Sequence, residues 1–481
     1  MAKPIMLQGT MSNVGKSFLT AALCRIFRQD GYSPAPFKSQ NMALNSFITA
    51  DGLEIGRAQA MQAQAAGLKP SVWMNPILLK PTTDVGSQVI VNGKVWRNMS
   101  AKEYFSQKTA LFPEIDTAYH NLASRHDRIV IEGAGSPVEL NLKSDDIVNM
   151  GLARRLHAPV LLIGDIDRGG IFAQLLGTLD LLEPEERVLV KGLIVNRFRG
   201  DVRLFSDGIS ILEQRSGLPV IGVVPYLSVD LEDEDSLSEK LHRTSRTALL
   251  DIAVIRLPRI SNFTDFDAFA QYADISVRYV SDTASLGTPD LLILPGTKAT
   301  ISDLRWLRES GLETAILRMK DTPVIGICGG FQMLCEAVSD PVQAEGGGEI
   351  RGLGLLPGKT VFINEKHQTQ TNGNLPEIRS GFWSCLSGAE YEGYEVHMGR
   401  TPGTVLNVSG NAAGTYVHGI FDKASVSAAL VQALLERRGI HRNETGTDMT
   451  DYREQQFDLL ADAVRKSLDI AKIYRIVEEG V

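Results

Sequence analysis

The sequence is poor in cysteine. Its 481 residues include four, Cys24, Cys328, Cys335 and Cys385, with no Cys-x-x-Cys pair and no histidine neighbours at zinc-ligand spacing. Neither a disulfide framework nor a structural zinc site is predicted from such a pattern. Each cysteine must therefore be interpreted from its own surroundings, as a core residue or as a nucleophile.

The sequence also lacks long apolar runs and an excess of basic residues. No apolar run reaches the roughly 18 residues of a membrane-spanning helix, and the formal net charge is −8. Because a nucleic-acid-binding protein needs a basic surface for phosphates, we expect neither nucleic acid nor a membrane among the partners. Residues 1–5 run directly into a strand-like segment without a signal peptide, which predicts a cytoplasmic protein.

The length and the hydrophobic pattern indicate an α/β protein with more than one domain. A chain of 481 residues is too long for one ordinary core. Short apolar runs alternate with helical stretches in the amino-terminal half, which is typical of a parallel sheet covered on both faces. These runs are 5–8, 129–131, 160–163, 193–195 and 220–224. Functional residues are expected at the carboxyl ends of such strands.

A change in composition marks the expected domain boundary. Residues 230–235 read Asp-Leu-Glu-Asp-Glu-Asp and precede a polar stretch without periodicity, as in a solvated linker. We therefore predict a first domain over 1–228, a linker over 229–250, a second α/β domain over 251–437 and a helical tail over 438–481. The helical spacing of the tail is carried by Phe457, Leu460, Val464, Leu468 and Ala471.

A glycine-rich loop between the first strand and the first helix predicts a phosphate site. Residues 9–17 read Gly-Thr-Met-Ser-Asn-Val-Gly-Lys-Ser. Backbone N–H groups of such a loop hold phosphate oxygens, while Lys16 reaches the terminal phosphates and Ser17 ligates Mg²⁺. The first glycine stands one position earlier than usual, a variant that resembles dethiobiotin-synthetase-like enzymes; a chance Gly-Lys-Ser is the alternative. The predicted phosphate-binding residues are Gly9, Thr10, Asn13, Gly15, Lys16 and Ser17.

Three polar residues are further candidates for the same site. Glu132 follows a buried strand and is placed to hold Mg²⁺ or its water shell. Asp51 is a second candidate metal ligand, with a turn or helix-cap aspartate as the alternative. Asn196 ends another strand and could recognise a purine edge, with a loop-capping asparagine as the alternative.

Residues 324–334 read Val-Ile-Gly-Ile-Cys-Gly-Gly-Phe-Gln-Met-Leu and predict a nucleophile. A strand ends at Cys328, two glycines permit a tight turn, and a helix begins, where the helix dipole favours a thiolate. The N–H of Gly329 and a second N–H near Gly296 are expected to stabilise an oxyanion. A small core residue is the alternative for Cys328, and Cys335 fits that description better.

A thiol that transfers acyl groups needs a general base. His418, in Tyr-Val-His-Gly-Ile-Phe, and His397, in Tyr-Glu-Val-His-Met-Gly-Arg, are the two candidates. Partners of this kind meet in space rather than along the chain. His418 is favoured and His397 stays open.

Taken together, these motifs resemble the cobyric acid synthase family, the glutamine-dependent amidating enzymes of cobalamin biosynthesis. Three further segments carry the resemblance, and all motifs follow the order of the family. The segments are 40–46 (Gln-Asn-Met-Ala-Leu-Asn-Ser), 132–142 (Glu-Gly-Ala-Gly-Ser-Pro-Val-Glu-Leu-Asn-Leu) and 164–173 (Gly-Asp-Ile-Asp-Arg-Gly-Gly-Ile-Phe-Ala).

The resemblance implies a P-loop parallel-sheet domain followed by a class I glutamine amidotransferase-like α/β domain. Cys328 would attack glutamine with His418 as its base. The first domain would bind ATP and Mg²⁺ and phosphorylate a carboxylate of adenosylcobyrinic acid a,c-diamide. Ammonia would then displace the phosphate, at the b, d, e and g side chains in turn.

One position departs from the wider amidotransferase pattern. Ile420 stands where those enzymes carry a glutamate two residues after the histidine, so the third member of a triad stays open, with Asp422 and Glu395 as candidates. Two rival functions also stay open. One is a cobyrinic acid a,c-diamide synthase, and the other is a P-loop ATP-binding switch with an inactive glutaminase domain.

Overall fold

The computed structural model describes residues 2–81, 86–227, 229–231, 248–441, 443 and 445–481. Most of the predicted linker, residues 232–247, lies outside the described residues. The strands are β1 Lys3–Gly9, β2 Pro34–Phe37, β3 Gln40–Met42, β4 Ser46–Ile48, β5 Glu54–Gly56, β6 Ile77–Pro81, β7 Gly86–Val91, β8 Lys94–Ser100, β9 Arg128–Glu132, β10 Val160–Asp165, β11 Val190–Phe198, β12 Val220–Pro225, β13 Leu250–Ile255, β14 Ile260–Ser261, β15 Ile275–Val280, β16 Leu291–Leu294, β17 Gly296–Thr297, β18 Val324–Ile327, β19 Ala337–Asp340, β20 Gly348–Arg351, β21 Lys359–Asn374, β22 Glu390–Arg400, β23 Asn407–Ser409 and β24 Ala412–Thr415. The α-helices are α1 Lys16–Gln29, α2 Arg57–Ala65, α3 Ala101–Gln107, α4 Phe112–Ala123, α5 Met150–Leu156, α6 Ile171–Asp180, α7 Pro184–Arg187, α8 Ser206–Ser216, α9 Thr283–Leu286, α10 Thr300–Glu309, α11 Leu312–Arg318, α12 Gly329–Leu334, α13 Ala424–Arg437, α14 Met449–Ser467 and α15 Ile470–Glu479.

The chain divides into two compact units. Unit 1 comprises Met1–Met42, Leu53–Leu231 and Arg453–Val481, and unit 2 comprises Ala43–Gly52 and Glu232–Tyr452. These boundaries differ from the sequence interpretation in two places. Residues 43–52 group with unit 2 rather than with the first domain, and most of the predicted tail groups with unit 1.

Unit 1 is built on a six-stranded parallel sheet in the order β12-β11-β10-β1-β9-β2. All residues of β9 and β10 are buried, because a parallel sheet is covered on both faces. Its strands therefore carry unalternated apolar runs, as the sequence indicates. A second sheet has the order β3-β6-β7-β8. In it β3 and β6 are parallel, whereas β6–β7 and β7–β8 are antiparallel.

The carboxyl-terminal helices of unit 1 pack against α1. Phe457, Leu460 and Val464 of α14 are buried in one apolar cluster with residues of β1 and α1. The Arg25 guanidinium of α1 donates to Asp458, with a nitrogen–oxygen distance of 2.8 Å. The apolar spacing in the sequence thus marks the face of α14 that is buried in unit 1.

Unit 2 contains a six-stranded sheet in the order β15-β13-β16-β18-β24-β23, parallel except for the β23–β24 pair. A second sheet has the order β20-β19-β21-β22. The hydroxyl of Tyr394, on β22, donates to the Ser46 carbonyl at 2.8 Å, and the Tyr394 ring packs on Phe47 with centroids 5.4 Å apart. These contacts explain why residues 43–52 belong to unit 2.

Candidate functional site

The glycine-rich loop of unit 1 leads from β1 into α1. Gly15 precedes the helix with φ of 94°, in the left-handed region, and Asn13 also has a positive φ, of 60°. A Cβ at Gly15 would also lie 2.2 Å from Nδ2 of Asn196, so any other residue would strain the backbone and displace the Asn196 side chain. The loop thus leads directly into a 14-residue helix. The N–H groups of the first helical turn are suited to bind phosphate.

Lys16 is held inside this loop. Its ammonium donates to the backbone carbonyls of Met11, at 2.9 Å, and Gly135, at 3.2 Å. Burial lowers the pKa of Lys16 to about 8; Glu132 opposes this shift and Lys38 adds to it. Lys16 therefore remains mostly protonated at neutral pH and retains the charge that a phosphate-binding lysine needs.

Glu132 ends β9 and lies beside the loop, 1% exposed. Its Oε1 accepts from the hydroxyl of Ser17 at 2.9 Å and from the ammonium of Lys38 at 2.8 Å, and its Oε2 accepts from Gln62. Burial alone would raise the pKa of Glu132, but Lys38, Gln62 and Lys16 together hold it below its ordinary value. The result is a buried, ionised carboxylate next to the predicted metal-binding hydroxyl.

Lys38 and Gln62 are site residues that the sequence reasoning missed. Lys38 directly follows β2, which pairs in parallel with β9 so that Phe37 lies opposite Ile131. The parallel register therefore places Lys38 beside Glu132. The only signal in the sequence is a lysine after a short strand, which does not by itself identify a site.

Two other predicted residues support the loop from within. Asn196 is buried and donates its amide to the Val14 carbonyl at 2.7 Å, which matches the loop-capping alternative. The Thr10 amide donates to the Ile163 carbonyl at 2.9 Å, so that N–H is engaged within the protein.

Asp51, the second candidate metal ligand, lies in a turn of the chain. It is exposed in a turn that is closed by a hydrogen bond from the Gly52 amide to the Thr49 carbonyl, 2.9 Å long. This turn belongs to unit 2, whereas Ser17 and Glu132 belong to unit 1. The geometry matches the turn aspartate that the sequence left open as the alternative.

In unit 2, Cys328 stands between β18 and α12 in a strained conformation. Its φ is 50° and its ψ is −108°, values that are rare for a residue with a side chain and that cluster at functional sites. The Cys328 amide donates to the Thr415 carbonyl at 2.8 Å, and the residue is 7% exposed. A hydrogen bond from the Cys328 amide to the neighbouring strand thus holds the bend that carries the thiol.

The glycines around Cys328 allow close backbone approach. A Cβ at Gly330 would lie 1.9 Å from the Leu294 carbonyl oxygen, and one at Gly329 would lie 2.6 Å from Cγ2 of Thr297. A Cβ at Gly296 would lie 3.1 Å from Cε1 of His418. Both glycines predicted to supply oxyanion N–H groups therefore lie against the cysteine–histidine pair.

His418 is paired with an aspartate that the sequence reasoning did not identify. Its Nδ1 lies 2.7 Å from Oδ2 of Asp265, and the Gly419 amide donates to Oδ1 of the same carboxylate at 3.0 Å. Burial alone would lower the pKa of His418, but Asp265 and then Cys328 raise it to about 10. With Nδ1 bound to Asp265, the other ring nitrogen is left for the thiol.

His397, the other candidate base, has different partners. Its Nδ1 bonds to the Gly399 carbonyl at 2.8 Å and its Nε2 to Oε2 of Glu395 at 3.1 Å. The ring stacks on Tyr416 with centroids 3.8 Å apart. Glu395, a candidate orienter of His418, thus contacts His397. The other candidate, Asp422, donates its backbone amide to the Gly419 carbonyl at 2.9 Å.

Asp265 lies in the 3-10 helix Phe263–Gln271, and 153 positions separate it from His418. The sequence around it, Phe-Thr-Asp-Phe, has no spacing relationship to the histidine. No signal in a single sequence could have identified it.

No helix among the described residues is long and apolar enough to cross a membrane. Two family models match the chain. Residues 5–237 match the "CobQ/CobB/MinD/ParA nucleotide binding domain", and residues 251–426 match the "CobB/CobQ-like glutamine amidotransferase domain". The predicted fold, a P-loop parallel-sheet domain followed by an amidotransferase-like α/β domain, is confirmed.

Full-length relatives agree with the family models. A protein of Lachnoclostridium phytofermentans named cobyric acid synthase is 56% identical, over 100% of both chains. Proteins of the same name from Ruminiclostridium cellulolyticum and Citrobacter koseri are 53% and 49% identical, over 100% of this chain and 98% and 99% of theirs. The chain therefore belongs to the cobyric acid synthase family.

Proposed function

We propose that this chain catalyses the cobyric acid synthase reaction of cobalamin biosynthesis. In that reaction, ATP activates the b, d, e and g carboxylates of adenosylcobyrinic acid a,c-diamide, and ammonia from glutamine converts each to an amide. The proposal rests on one combined observation. The chain matches relatives of that name from end to end, and it contains both a Cys328–His418–Asp265 constellation and a phosphate-binding loop.

Glutamine hydrolysis is assigned to unit 2. His418 takes the proton of the Cys328 thiol, and the sulfur attacks the side-chain amide carbon of glutamine, while N–H groups near Gly296 and Gly329 stabilise the oxyanion. His418 donates a proton to the departing nitrogen, which leaves as ammonia, and Asp265 holds the ring in the required orientation. His418 then takes a proton from water, whose oxygen attacks the thioester carbon; the carbon–sulfur bond breaks, glutamate leaves, and the proton returns to the Cys328 sulfur.

The carboxylate is activated in unit 1. The N–H groups of the loop and the Lys16 ammonium position the terminal phosphate of ATP. The substrate carboxylate attacks that phosphorus and ADP leaves. Phosphate is a good leaving group from the acyl phosphate. Ammonia can therefore attack the acyl carbon and displace phosphate to form the amide.

The residues of unit 1 fit a Mg²⁺ ion, which prefers oxygen ligands. The Ser17 hydroxyl and the Glu132 carboxylate converge at 2.9 Å. The Oε1 atom of Gln62, whose amide nitrogen bonds Glu132, is buried and meets no hydrogen-bond partner among the residues that the structure describes. Mg²⁺ would neutralise negative charge that develops on the phosphates during transfer.

Two variants test the division of labour. Cys328→Ala should abolish amidation with glutamine and leave amidation with added ammonia, because only the nitrogen source is lost. Lys16→Ala should abolish both, since each needs the activated carboxylate. Cys385→Ala is the matched control and should behave like the wild type. Equal loss of both activities in a folded Cys328→Ala protein would contradict the assignment.

The acceptor is tested by supplying either cobyrinic acid or adenosylcobyrinic acid a,c-diamide with ATP and glutamine. Each amidation replaces a carboxyl OH by NH2 and lowers the mass by about 1 Da. Four successive decreases of this size are expected with adenosylcobyrinic acid a,c-diamide and not with cobyrinic acid. Amidation of cobyrinic acid at two positions would instead favour the a,c-diamide synthase.

A further inference from the structure

Three side chains of types that can ligate a metal lie together on the second sheet of unit 2, outside the catalytic constellation. His367 of β21 stands directly opposite His397 of β22 in antiparallel register. Glu395 precedes His397 by two residues, so its side chain projects from the same face of the strand. One ligand atom from each of these three residues lies within 4.8 Å of the others.

The distances suit a common cation. Oε2 of Glu395 lies 3.1 Å from Nε2 of His397 and 3.5 Å from Nε2 of His367. Zinc binds nitrogen and oxygen ligands at about 2.0–2.2 Å in a tetrahedron, which places neighbouring ligand atoms about 3.3–3.5 Å apart. The two measured distances are close to that spacing.

The hydrogen bonds of His397 supply a second, independent argument. Its Nδ1 faces the Gly399 carbonyl at 2.8 Å, and because a carbonyl only accepts, Nδ1 carries the hydrogen. Nε2 of the neutral ring is then a lone pair that faces a carboxylate oxygen of Glu395, which is also an acceptor. Either a metal ion or a proton must therefore lie between these two atoms.

The surroundings of His397 resemble those of a metal ligand. Its side chain is 4% exposed and stacks on Tyr416 at an interplanar angle of 15°, so the ring orientation is fixed. Histidine ligands usually donate their other ring N–H to a carbonyl or a carboxylate, which fixes the tautomer. The Gly399 carbonyl has this role here.

We propose that His367, Glu395 and His397 bind one divalent transition-metal cation of the Zn²⁺ class. Two imidazoles and one carboxylate favour such ions over Mg²⁺ or Ca²⁺, which prefer all-oxygen sites. Three protein ligands leave a fourth position open for water. His367 and Glu395 are 35% and 21% exposed, so the cation can enter from solvent.

The proposed metal site and the glutaminase centre are connected by the backbone of β22. Val396 lies between two of the ligands, and its carbonyl oxygen is 3.7 Å from the Cys328 sulfur. A bound cation would therefore hold this part of β22 in place beside the thiol. The metal site itself does not depend on the proposed amidation reaction, and its test uses metal binding alone.

The test is calorimetric titration of the full chain with Zn²⁺ in excess Mg²⁺, which saturates all-oxygen sites. One equivalent should bind, and His367→Ala and Glu395→Gln should each weaken binding at least about 100-fold, since even loss of an outer partner costs 10- to 100-fold. His120→Ala, at an exposed histidine of α4, is the matched control and should bind like the wild type. His367→Ala removes a partly exposed side chain, and circular dichroism checks that this variant is folded.

Cys328→Ala separates this site from zinc capture by the catalytic thiol. Binding should persist in Cys328→Ala, and Co²⁺ bound in place of Zn²⁺ should give a four-coordinate visible spectrum without a thiolate charge-transfer band. Binding that is lost in Cys328→Ala, that survives His367→Ala and Glu395→Gln, or that is absent in the wild type would overturn the proposal. If the wild type binds no metal, a second proton on His397 would instead account for its contact with Glu395.

Discussion

The Nδ1 atom of His418 lies 2.7 Å from Oδ2 of Asp265, although the two residues are 153 positions apart in the chain. Both side chains are buried, at 1% and 3% exposure. The carboxylate is fixed in turn by the Gly419 amide. Asp265 thus holds Nδ1 of His418, a contact that fixes the orientation of the ring. We infer that it is the positioning residue of the glutaminase site.

Asp265→Asn is expected to lower glutamine-dependent amidation by about 10²–10⁴-fold, the usual contribution of a positioned general acid–base group. The amide can hydrogen-bond to the ring but cannot stabilise the imidazolium. Glutamate release at saturating glutamine measures the effect. Amidation with added ammonia should be retained, because unit 1 is unchanged.

A merely structural role for Asp265 would give another pattern. The Asp265→Asn variant should shift the pH dependence of glutamate release, because the carboxylate raises the pKa of His418. Asp265→Glu, which restores the charge, should recover part of the rate. An unchanged pH profile with a uniformly lower rate, or a failure of glutamate to recover any activity, would contradict the positioning role.

The same pair predicts a pH-dependent contribution to stability. The pKa of His418 is raised from 6.5 to about 10 in the folded protein. The resulting stabilisation should be fully present below about pH 6.5 and should be lost as the pH rises toward 10. The difference in stability against urea between the wild type and Asp265→Asn should therefore shrink over this interval. A difference that grows with pH would show that another group is responsible.

The parts of the site that could be predicted from the sequence are contiguous in the chain. The loop at 9–17 and the cysteine turn at 324–334 each place a strand, glycines and a helix start within a few residues. Local geometry then follows from local sequence, because backbone turns and helix starts involve near neighbours. The fold class and the family could be predicted for the same reason.

The parts that could not be predicted depend on tertiary register. Lys38 reaches Glu132 only because β2 pairs with β9, and Asp265 reaches His418 only through the packing of unit 2. Residues 43–52 likewise group with unit 2 through contacts such as Tyr394 with Ser46. No period or composition encodes such pairings, so a single sequence leaves them open.

Lys38→Met is expected to abolish amidation with either glutamine or ammonia. The Lys38 ammonium bonds Glu132 at 2.8 Å, and both side chains are at most 9% exposed. Removing it leaves a buried carboxylate without this partner, which typically costs about 3–5 kcal/mol of stability. Product formation with each nitrogen source and the urea unfolding curve measure the two effects.

A double variant separates stability from activity at this position. Lys38→Met combined with Glu132→Gln removes both charges, so the urea midpoint should recover toward that of the wild type. Amidation should stay absent, because the proposed metal ligand is lost as well. Recovery of amidation in the double variant would show that the charges serve only stability.

The turn after Cys328 gives the last prediction, because its glycines have no room for a side chain. Gly330→Ala would place a Cβ 1.9 Å from the Leu294 carbonyl oxygen, a backbone atom that cannot move away as a side chain can. We expect a loss of stability of about 1–3 kcal/mol or more and a large loss of glutamate release. Gly177→Ala, in α6, is the matched control, because apart from the backbone of its own helix its Cβ would meet no atom of the described residues within 4 Å. It should leave activity unchanged and stabilise the protein by about 0.5–1 kcal/mol. Equal stability of the two variants would show that the turn at Cys328 relaxes easily and does not fix the thiol.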